Sequence, residues 1–343
     1  MSDIQDRLEI FDAIAERRNE RRRFLRFAGG AAAGVGGLAL LSACNDDNDP
    51  TPSPTPTPTP TPSSTSAQLD IDVLNFALNL EYLEAQFYSW AAFGVGLNPS
   101  LTTGVGTTGT VTGGAQVNFS DNVVRQYARE IAQDEAAHVI FLRSALGSAA
   151  VAMPNLNISG DANGAFTAAA RAAGVVGSTG TFNPYASDEN FLLGAFIFED
   201  VGVTAYKGAI TSITNKTYIE AAAGIHAAEG YHAGLIRTIL YAKGLQTPSL
   251  RTAAGQISDA RDSLDGSSDL DQGITLPNGT LTTTALATNV TVQASNLVPT
   301  DSSGIVFSRT PAQVLNVVYL SAGTGRTSGG FFPNGINGNI RTT

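Results

Sequence analysis

The chain has 343 residues, of which 43% are hydrophobic and 15% are charged, so it can bury one sizeable core. Its formal net charge is −10, and lysine and arginine together number only 20. Because neutralising phosphates requires clustered basic side chains, this balance argues against a nucleic-acid groove, and acidic substrates are disfavoured for the same reason. One compact domain with extensions is expected.

The first 43 residues have the pattern of an export signal. The run Arg21-Arg22-Arg23-Phe24-Leu25-Arg26 resembles the twin-arginine signature, and a weakly apolar stretch follows that is too short and glycine-rich to span a membrane. It ends in Leu41-Ser42-Ala43-Cys44, which resembles a bacterial lipoprotein cleavage box. The alternative is a coincidental match that leaves Cys44 as a free thiol. Cys44 is the only cysteine, which excludes internal disulfides.

These features predict a signal peptide over residues 1–43 and a Pro/Thr-rich linker over residues 44–67. The near-perfect Pro-Thr alternation up to Pro62 favours an extended, semi-rigid spacer. We expect Arg21 and Arg22 to engage the twin-arginine export machinery. The chain is then a periplasmic or cell-envelope lipoprotein that is attached to the membrane through lipidated Cys44.

The first domain helix is predicted from Asp70, as its N-cap, to about Phe93, before a Gly/Thr-rich loop over residues 94–119. Its inward stripe consists of Leu74, Ala77, Leu78, Glu81, Ala85 and Tyr88. This stripe places the Glu81 carboxylate among apolar neighbours. Glu84 lies one turn later and is the alternative inward carboxylate.

The second helix is predicted from Asp121 to about Ala145, closed by Gly147. It contains Glu135 and His138, which lie three residues apart and therefore on one face, where they could hold one metal ion. The apolar positions Val124, Ala128, Ile131, Leu142 and Ala145 share that face. Taken alone, the pair is also consistent with an exposed pair or with a core histidine bonded to a backbone carbonyl.

A second copy of this pattern changes the interpretation. A third helix is predicted from near Asp188 to about Ile210, with Glu199 on its inward stripe, and a fourth from Tyr218 to Lys243, closed by Gly244. The fourth contains Glu229-Gly230-Tyr231-His232, so two of the three histidines follow a glutamate by three residues. The remaining one, His226, is either a core residue or a support for the site.

Spacing indicates that these carboxylates can meet. In an antiparallel hairpin, residues at one depth are equidistant from the turn. The midpoint between Glu81 and Glu135 falls in the Gly/Thr-rich loop, and the midpoint between Glu199 and Glu229 falls in the break between helices three and four. The connection over residues 148–187 is long enough to cross about 35 Å between parallel second and third helices.

Two single glutamates and two Glu-x-x-His pairs resemble the dimetal pattern of ferritin-like four-helix bundles. The tail runs Phe307-Ser308-Arg309-Thr310-Pro311 and Gly330-Phe331-Phe332-Pro333-Asn334-Gly335 resemble the exported, desiccation-related group of that family. The resemblance implies an all-α fold: an up-down-down-up bundle over residues 68–245, with a long crossover between helices two and three. An irregular, Gly/Ser/Thr-rich extension over residues 246–343 either wraps the bundle or binds a partner.

The resemblance also implies a dinuclear iron or manganese centre with six ligands: Glu81 (or Glu84), Glu135, His138, Glu199, Glu229 and His232. Tyr88, two turns after Glu81, is a candidate catalytic, redox-active residue beside it. The expected substrate is a small oxidant, peroxide or O₂, in a catalase-like, peroxidase-like or ferroxidase reaction. The alternative is a non-enzymatic, desiccation-related envelope protein whose bundle binds metal structurally or not at all. Assembly into a homo-oligomer is left open, although the anchor and tail disfavour a closed storage shell.

Overall fold

The computed structural model describes residues 64–283 and 285–343. The predicted signal peptide, with Arg21, Arg22 and Cys44, lies outside the described residues, as does most of the Pro/Thr-rich linker. Within the described ranges, no helix combines the length and the apolar character needed to cross a membrane.

Four long helices form the bundle: α1 (Ser64–Phe93), α2 (Asn122–Leu146), then, after the short α3 (Ala165–Ala172), α4 (Asp188–Ile210) and α5 (Lys216–Gln246). Helix α1 packs on α2 and α4 packs on α5, so the bundle consists of two helical hairpins joined by the crossover that contains α3. The mostly helical architecture confirms the predicted ferritin-like, all-α fold class.

Polar side chains mark the beginnings of three of these helices. Each accepts a hydrogen bond from a backbone N–H of the first turn, which would otherwise have no partner: Asp121 for α2, Ser187 for α4 and Asn215 for α5. Each cap therefore sets the start of its helix locally.

Two predicted helix ends are wrong. Helix α1 begins at Ser64, so Asp70 is not its N-cap. The Asp70 carboxylate instead accepts the backbone N–H of Thr214 at 2.7 Å and thus supports the turn between α4 and α5. Gly244 lies inside α5 rather than after it. A Cβ atom there would lie 2.3 Å from Cγ of Arg251, so this glycine permits a close approach of the following helix.

The predicted inward stripes of the helices are buried, but α2 has an exposed outer face, whereas α1 and α4 are enclosed on all sides. On α2 the buried positions recur with the helical period, and its outer face is exposed, although the predicted stripe residue Ala145 is only half-buried. On α4 every residue from Phe191 to Tyr206 is buried. Helix α1 is similarly enclosed, because the loops and the C-terminal extension cover its outer side.

The loops contribute to the same core. Strand β1 (Val111–Gly113) in the first loop pairs in parallel with β2 (Leu156–Ile158) in the crossover. Phe166 of α3 lies against Phe87 of α1 with ring centroids 5.1 Å apart, and against Phe331 of the tail at 5.2 Å. These contacts attach the crossover and the tail to the bundle.

The C-terminal extension is more regular than expected and packs on the bundle. It contains α6 (Pro248–Asp265), the antiparallel hairpin of β3 (Thr275–Thr283) and β4 (Val290–Ser295), and α7 (Pro311–Val318). Helices α6 and α7 both contact α4. A Cβ atom at Gly208 would lie 2.0 Å from the carbonyl oxygen of Arg309, so this glycine lets the tail reach the α4 backbone.

A buried chain of alternating charges joins the extension to the bundle: Arg237, Asp200, Arg261, Asp271, Arg309 and Asp265. Asp200 of α4 binds Arg237 of α5 at 2.7 Å and Arg261 of α6 at 2.8 Å. Asp271 connects Arg261 at 2.6 Å with Arg309 at 2.8 Å. Since removing one partner of a buried ion pair costs about 3–5 kcal/mol, this chain fixes the extension in place.

Candidate metal centre

The four bundle helices bring all six predicted ligands together in the middle of the core. Potential ligand atoms of Glu81, Glu135, His138 and Glu229 lie within 4.8 Å of one another, and a second such group consists of Glu199, Glu229 and His232. The shared residue is Glu229. Two adjacent groups of acidic and imidazole ligands with one residue in common are the arrangement that two neighbouring ions require.

Glu135 also lies between the two groups. Its Oε1 atom is 2.9 Å from Nδ1 of His232, and its Oε2 atom is 3.6 Å from Nδ1 of His138. The two imidazole rings are 6.2 Å apart between centroids. Glu135 and Glu229, the carboxylates of the two Glu-x-x-His pairs, therefore each lie between the two groups, which is the place of a bridging carboxylate. Glu81 and Glu199 each belong to one group.

The polar atoms of this cluster fit a divalent cation better than they fit one another. Both carboxylate oxygens of Glu135 and of Glu229, Oε2 of Glu199 and Nδ1 of His232 are buried and have no hydrogen-bond partner. The 2.9 Å approach of His232 to Glu135 thus lacks hydrogen-bond geometry. Buried acceptors without partners are costly, and a cation would satisfy all of them.

A glycine on α4 makes room for one bridging carboxylate. A Cβ atom at Gly202 would lie 2.1 Å from Oε2 of Glu229. The carboxylate can therefore rest against the α4 backbone only because position 202 has no side chain. This close approach gives a physical reason for the glycine three residues after Glu199.

Several carboxylates lie close together in the buried core, and their pKa values are raised. Burial raises the pKa of Glu81 to about 7 and that of Glu199 to about 8. Burial, followed by repulsion from Glu84, holds the pKa of Glu229 well above its ordinary range. With the charges of the protein groups alone, these carboxyl groups resist ionisation, and a cation would reverse that balance.

At Glu135, the two imidazoles reverse this upward shift of the pKa. Burial raises the pKa of Glu135, but His138 and then His232 outweigh it, so the net shift is downward. Burial lowers the pKa of each histidine, but carboxylates raise those of His138 and His232 to about 11 and about 10. Protons on these imidazoles occupy the places that cations would take, so metal binding would release them.

Three residues around the cluster hold ligands in position. Tyr88 donates its hydroxyl hydrogen to Oε1 of Glu199, and Tyr206 donates to Oε1 of Glu81. Nε2 of His232 lies 3.5 Å from Oδ2 of Asp134, which turns Nδ1 towards the cluster. Sequence reasoning placed Tyr88 here but assigned no role to Asp134 or Tyr206, whose partners lie on other helices.

Two further candidates lie outside both ligand groups. Glu84, the alternative to Glu81, is 6% exposed, and burial followed by repulsion from Glu135 raises its pKa well above the ordinary value. His226 is half-buried, and burial lowers its pKa. The redox role of Tyr88 and the choice between Glu81 and Glu84 as the working ligand stay predictions.

The cluster reaches solvent on the side of α2 and α5. The side chain of His138 is 12% exposed and that of Asp134 is 26% exposed, whereas Glu81 and Glu229 are fully enclosed. Glycine and alanine residues line the exposed surface of α5 next to Glu229, including Ala227 and Gly230. A small solute can therefore approach the imidazole edge of the site.

Comparison with known proteins identifies the family to which the fold belongs. The ferritin-like domain family matches residues 69–242. The chain is 31% identical over 278 residues to a protein of Nesocodon mauritianus named ferritin-like catalase Nec2, covering 79% of this chain and 84% of that protein. It is 29% identical over 253 residues to the desiccation-related protein PCC13-62 of Craterostigma plantagineum, covering 71% and 76%. No solved structure matches the chain. The chain belongs to the ferritin-like domain family.

Proposed function

We propose that this protein is a dinuclear metal oxidoreductase that disproportionates hydrogen peroxide. The observation that carries the proposal is the enclosed set of four carboxylates and two imidazoles, in which both Glu135 and Glu229 lack hydrogen-bond partners. Four carboxylates balance the charge of two divalent ions, and oxygen ligands combined with imidazole favour iron or manganese over copper.

The six ligands would hold the ions in two positions that share Glu135 and Glu229. When bound, two manganese or iron ions supply the redox chemistry, because they can take up and return the two electrons that are exchanged between two peroxide molecules. The balanced reaction converts two hydrogen peroxide molecules into one O₂ and two water molecules. The remaining requirement falls on the protein, which must move protons between the two halves of the reaction.

Glu84 is the group that we assign to proton transfer. Its carboxyl group is enclosed one turn from Glu81, lies outside both ligand groups, and has a pKa well above its ordinary value. Burial and the neighbouring carboxylates thus favour its protonated form. Cleavage of the peroxide O–O bond needs a proton at the leaving oxygen, and formation of O₂ releases protons that Glu84 can take back.

The names of the two relatives favour different functions for this protein. One protein with 31% identity carries the name of a ferritin-like catalase, which favours peroxide as the substrate. Another with 29% identity is named for desiccation, which favours the second candidate, a non-enzymatic stress protein with a structural metal site. Exposure of His138 supports the enzyme, because a purely structural centre has no need of a solvent-facing edge.

The test is reconstitution of the protein with Mn²⁺ or Fe²⁺ under anaerobic conditions. We expect about two ions per chain and O₂ evolution from added hydrogen peroxide. Glu84→Gln should keep both ions and lose about a hundredfold or more in turnover, since it can no longer exchange a proton. Glu220→Gln, at an exposed position of the same bundle, is the matched control.

Three outcomes would contradict the proposal, each at a different point. Binding of fewer than one ion per wild-type chain would refute the metal centre. Full binding of two ions without peroxide turnover would favour the structural alternative. Equal turnover of the Glu84 and Glu220 variants would remove the assigned role of Glu84 but leave the centre intact.

We further propose that the protein acts outside the cytoplasm. The twin-arginine pattern at Arg21 and Arg22 and the lipoprotein box that ends at Cys44 support export and anchoring to a membrane. Since the twin-arginine pathway exports folded proteins, the metal would be loaded before export. The partners would then be the export machinery, the membrane and a small oxidant.

A further inference from the structure

A cavity of about 90 Å³ lies between α4, α5 and the C-terminal extension, and we call it the extension cavity. Helix α4 contributes Asp200 and Val203 to its lining, and α5 contributes Ala233, Gly234 and Arg237. Its described lining includes none of the six predicted metal ligands. The extension cavity is therefore a separate site, formed where the extension covers two of the bundle helices.

Most of the side chains that line the extension cavity are apolar. They come from the bundle and from the extension alike: Val203, Ala233, Leu270, Leu297, Val298 and Phe307. Such walls form no hydrogen bonds with a solute, so they favour a ligand that has a body of carbon atoms.

The wall that the extension provides is fixed at both ends. At one end, Arg237 donates from Nε to the carbonyl oxygen of Leu297 at 3.1 Å and from Nη2 to that of Asn296 at 2.7 Å. At the other end, Lys207 donates to the carbonyl oxygen of Val306. Between these ends, Val298 is 65% exposed, so the cavity reaches solvent along this wall. A solute can thus enter a site that is already formed.

Among the charged side chains that line the cavity, Asp200 keeps one oxygen for a ligand. Its Oδ2 atom accepts from Arg237 at 2.7 Å and from Arg261 at 2.8 Å, whereas its Oδ1 atom is buried and has no hydrogen-bond partner. Asp271 differs, because its two oxygens accept from Arg261 and Arg309. The cavity therefore offers a solute one strong hydrogen-bond acceptor, which requires a donor.

The balance of charge indicates that this donor is neutral. The buried charge chain contains three arginines and three aspartates, so their charges cancel. Arg237 already donates to Asp200 and to backbone carbonyl oxygens of the extension. An ionic ligand would bring an uncompensated charge into this buried site, which is costly. A hydroxyl group can donate to Oδ1 of Asp200 without adding a charge.

We infer that the extension cavity is a binding site for a small neutral alcohol. The hydroxyl group would donate to Oδ1 of Asp200, and the carbon atoms would lie against Val203, Ala233 and the wall from the extension. An apolar cavity of about 150 Å³ holds benzene, which has six non-hydrogen atoms, so a cavity of about 90 Å³ suits about four. The inference does not depend on the proposed metal centre.

The test compares four solutes of about the same size and shape on the purified protein: 2-propanol, acetone, acetate and isopropylammonium. Saturation-transfer difference NMR detects the weak binding, with a dissociation constant of about a millimolar, that is expected of about four atoms. We expect clear transfer to the methyl protons of 2-propanol. Transfer should be about tenfold weaker for acetone, which has no donor, and for the two ions, whose charges nothing offsets.

Gly234→Leu should block the cavity. Gly234 is part of the lining, and a Cβ atom there would meet no atom within 4 Å, so the new side chain enters open space. The 2-propanol signal should fall about tenfold, while a thermal melt shows that the variant is folded. Gly224→Leu is the matched control, because it makes the same change on α5 at an uncrowded position outside the lining. It should keep the wild-type signal.

Four results would overturn the inference. Equal signals for 2-propanol and acetone would show that no donor is recognised, and a stronger signal for isopropylammonium would show that the ligand is cationic. Equal 2-propanol signals in Gly234→Leu and Gly224→Leu would place binding elsewhere on the protein. No signal from any solute would show that the cavity takes up water only. The comparison of solutes uses the wild-type protein, so it decides the matter even if Gly234→Leu does not fold.

Discussion

Replacing Glu199 by glutamine should stabilise the metal-free protein. Burial raises the pKa of Glu199 from 4.5 to about 8, so at pH 7 the folded chain must hold a proton that the unfolded chain has released. The gap of about 2.5 pH units between 4.5 and 7 corresponds to about 3–4 kcal/mol, at about 1.4 kcal/mol per unit. Glutamine has no such cost, has the same size, and can still accept the hydroxyl hydrogen of Tyr88.

The same substitution should weaken the metal-bound protein. The amide removes a negative charge from the group that contains Glu229 and His232, so we expect Glu199→Gln to bind about one ion instead of two. At about 2 °C per kcal/mol for a domain of this size, its metal-free melting temperature should rise by up to about 8 °C. The additional rise on adding Mn²⁺ should be smaller than in wild type.

The assay is thermal unfolding at pH 7, with a chelator and with excess Mn²⁺, together with metal stoichiometry. Glu220→Gln is the control, because Glu220 is exposed on α5 and should leave both melts unchanged. Relative to wild type, the melting temperature of Glu199→Gln should thus be higher in chelator, and its further rise on adding Mn²⁺ should be smaller. A variant that is less stable than wild type without metal, or that still binds two ions, would refute the reasoning.

Two further predictions concern pH and export. Because folding raises the pKa of Glu81 and Glu199 from 4.5 to about 7 and about 8, and of His138 and His232 from 6.5 to about 11 and about 10, the folded state binds more protons than the unfolded chain above pH 4.5. Melts in chelator should therefore show highest stability near pH 5 and a steady fall towards pH 9, and a flat or rising profile would contradict this linkage. For export, Arg21→Lys combined with Arg22→Lys should block translocation, and Cys44→Ala should release the domain from the membrane without unfolding it. Cell fractionation decides the matter, and freely soluble, unmodified wild-type protein would contradict the anchor.

The ligand set could be predicted from the sequence because it depends on two regular quantities, the helical period and the distance of each ligand from its turn. Glu135 with His138 and Glu229 with His232 lie three residues apart, and this spacing is sufficient to place each pair on one face. Equal distances from the turns then bring the pairs to one level. The structure places all six predicted ligands in the two groups that share Glu229.

Helix ends were less predictable, because the same residue type serves several purposes. Asp70 has the chemistry of an N-cap, but its carboxylate supports the distant turn at Thr214. Gly244 has the chemistry of a C-cap, but it is needed for the approach of Arg251. In both cases a contact with another element overrides the local signal: Asp70 contacts a turn far along the chain, and Gly244 contacts the next helix.

The supporting residues were hidden for a related reason. Tyr206 and Asp134 act on ligands from other helices, so their roles depend on which helices are neighbours and in which direction they run. The identical spacing of Glu81 to Tyr88 and of Glu199 to Tyr206 was visible in the sequence. It acquires meaning only with the antiparallel arrangement of α1 and α4, which turns two local spacings into a pair of crossed hydrogen bonds.

The buried charge chain explains why an extension so far from the ligands in sequence can matter to the site. Glu199 and Asp200 are consecutive on α4, and a helix turns about 100° per residue, so their side chains point to different sides. Glu199 faces the metal cluster, whereas Asp200 binds Arg237 of α5 and Arg261 of α6. The ion pair with Arg237 therefore joins α4 to α5 at the residue next to Glu199. Since Arg261 and Arg309 continue this chain into the extension, the tail helps to hold the geometry of the two ligand groups.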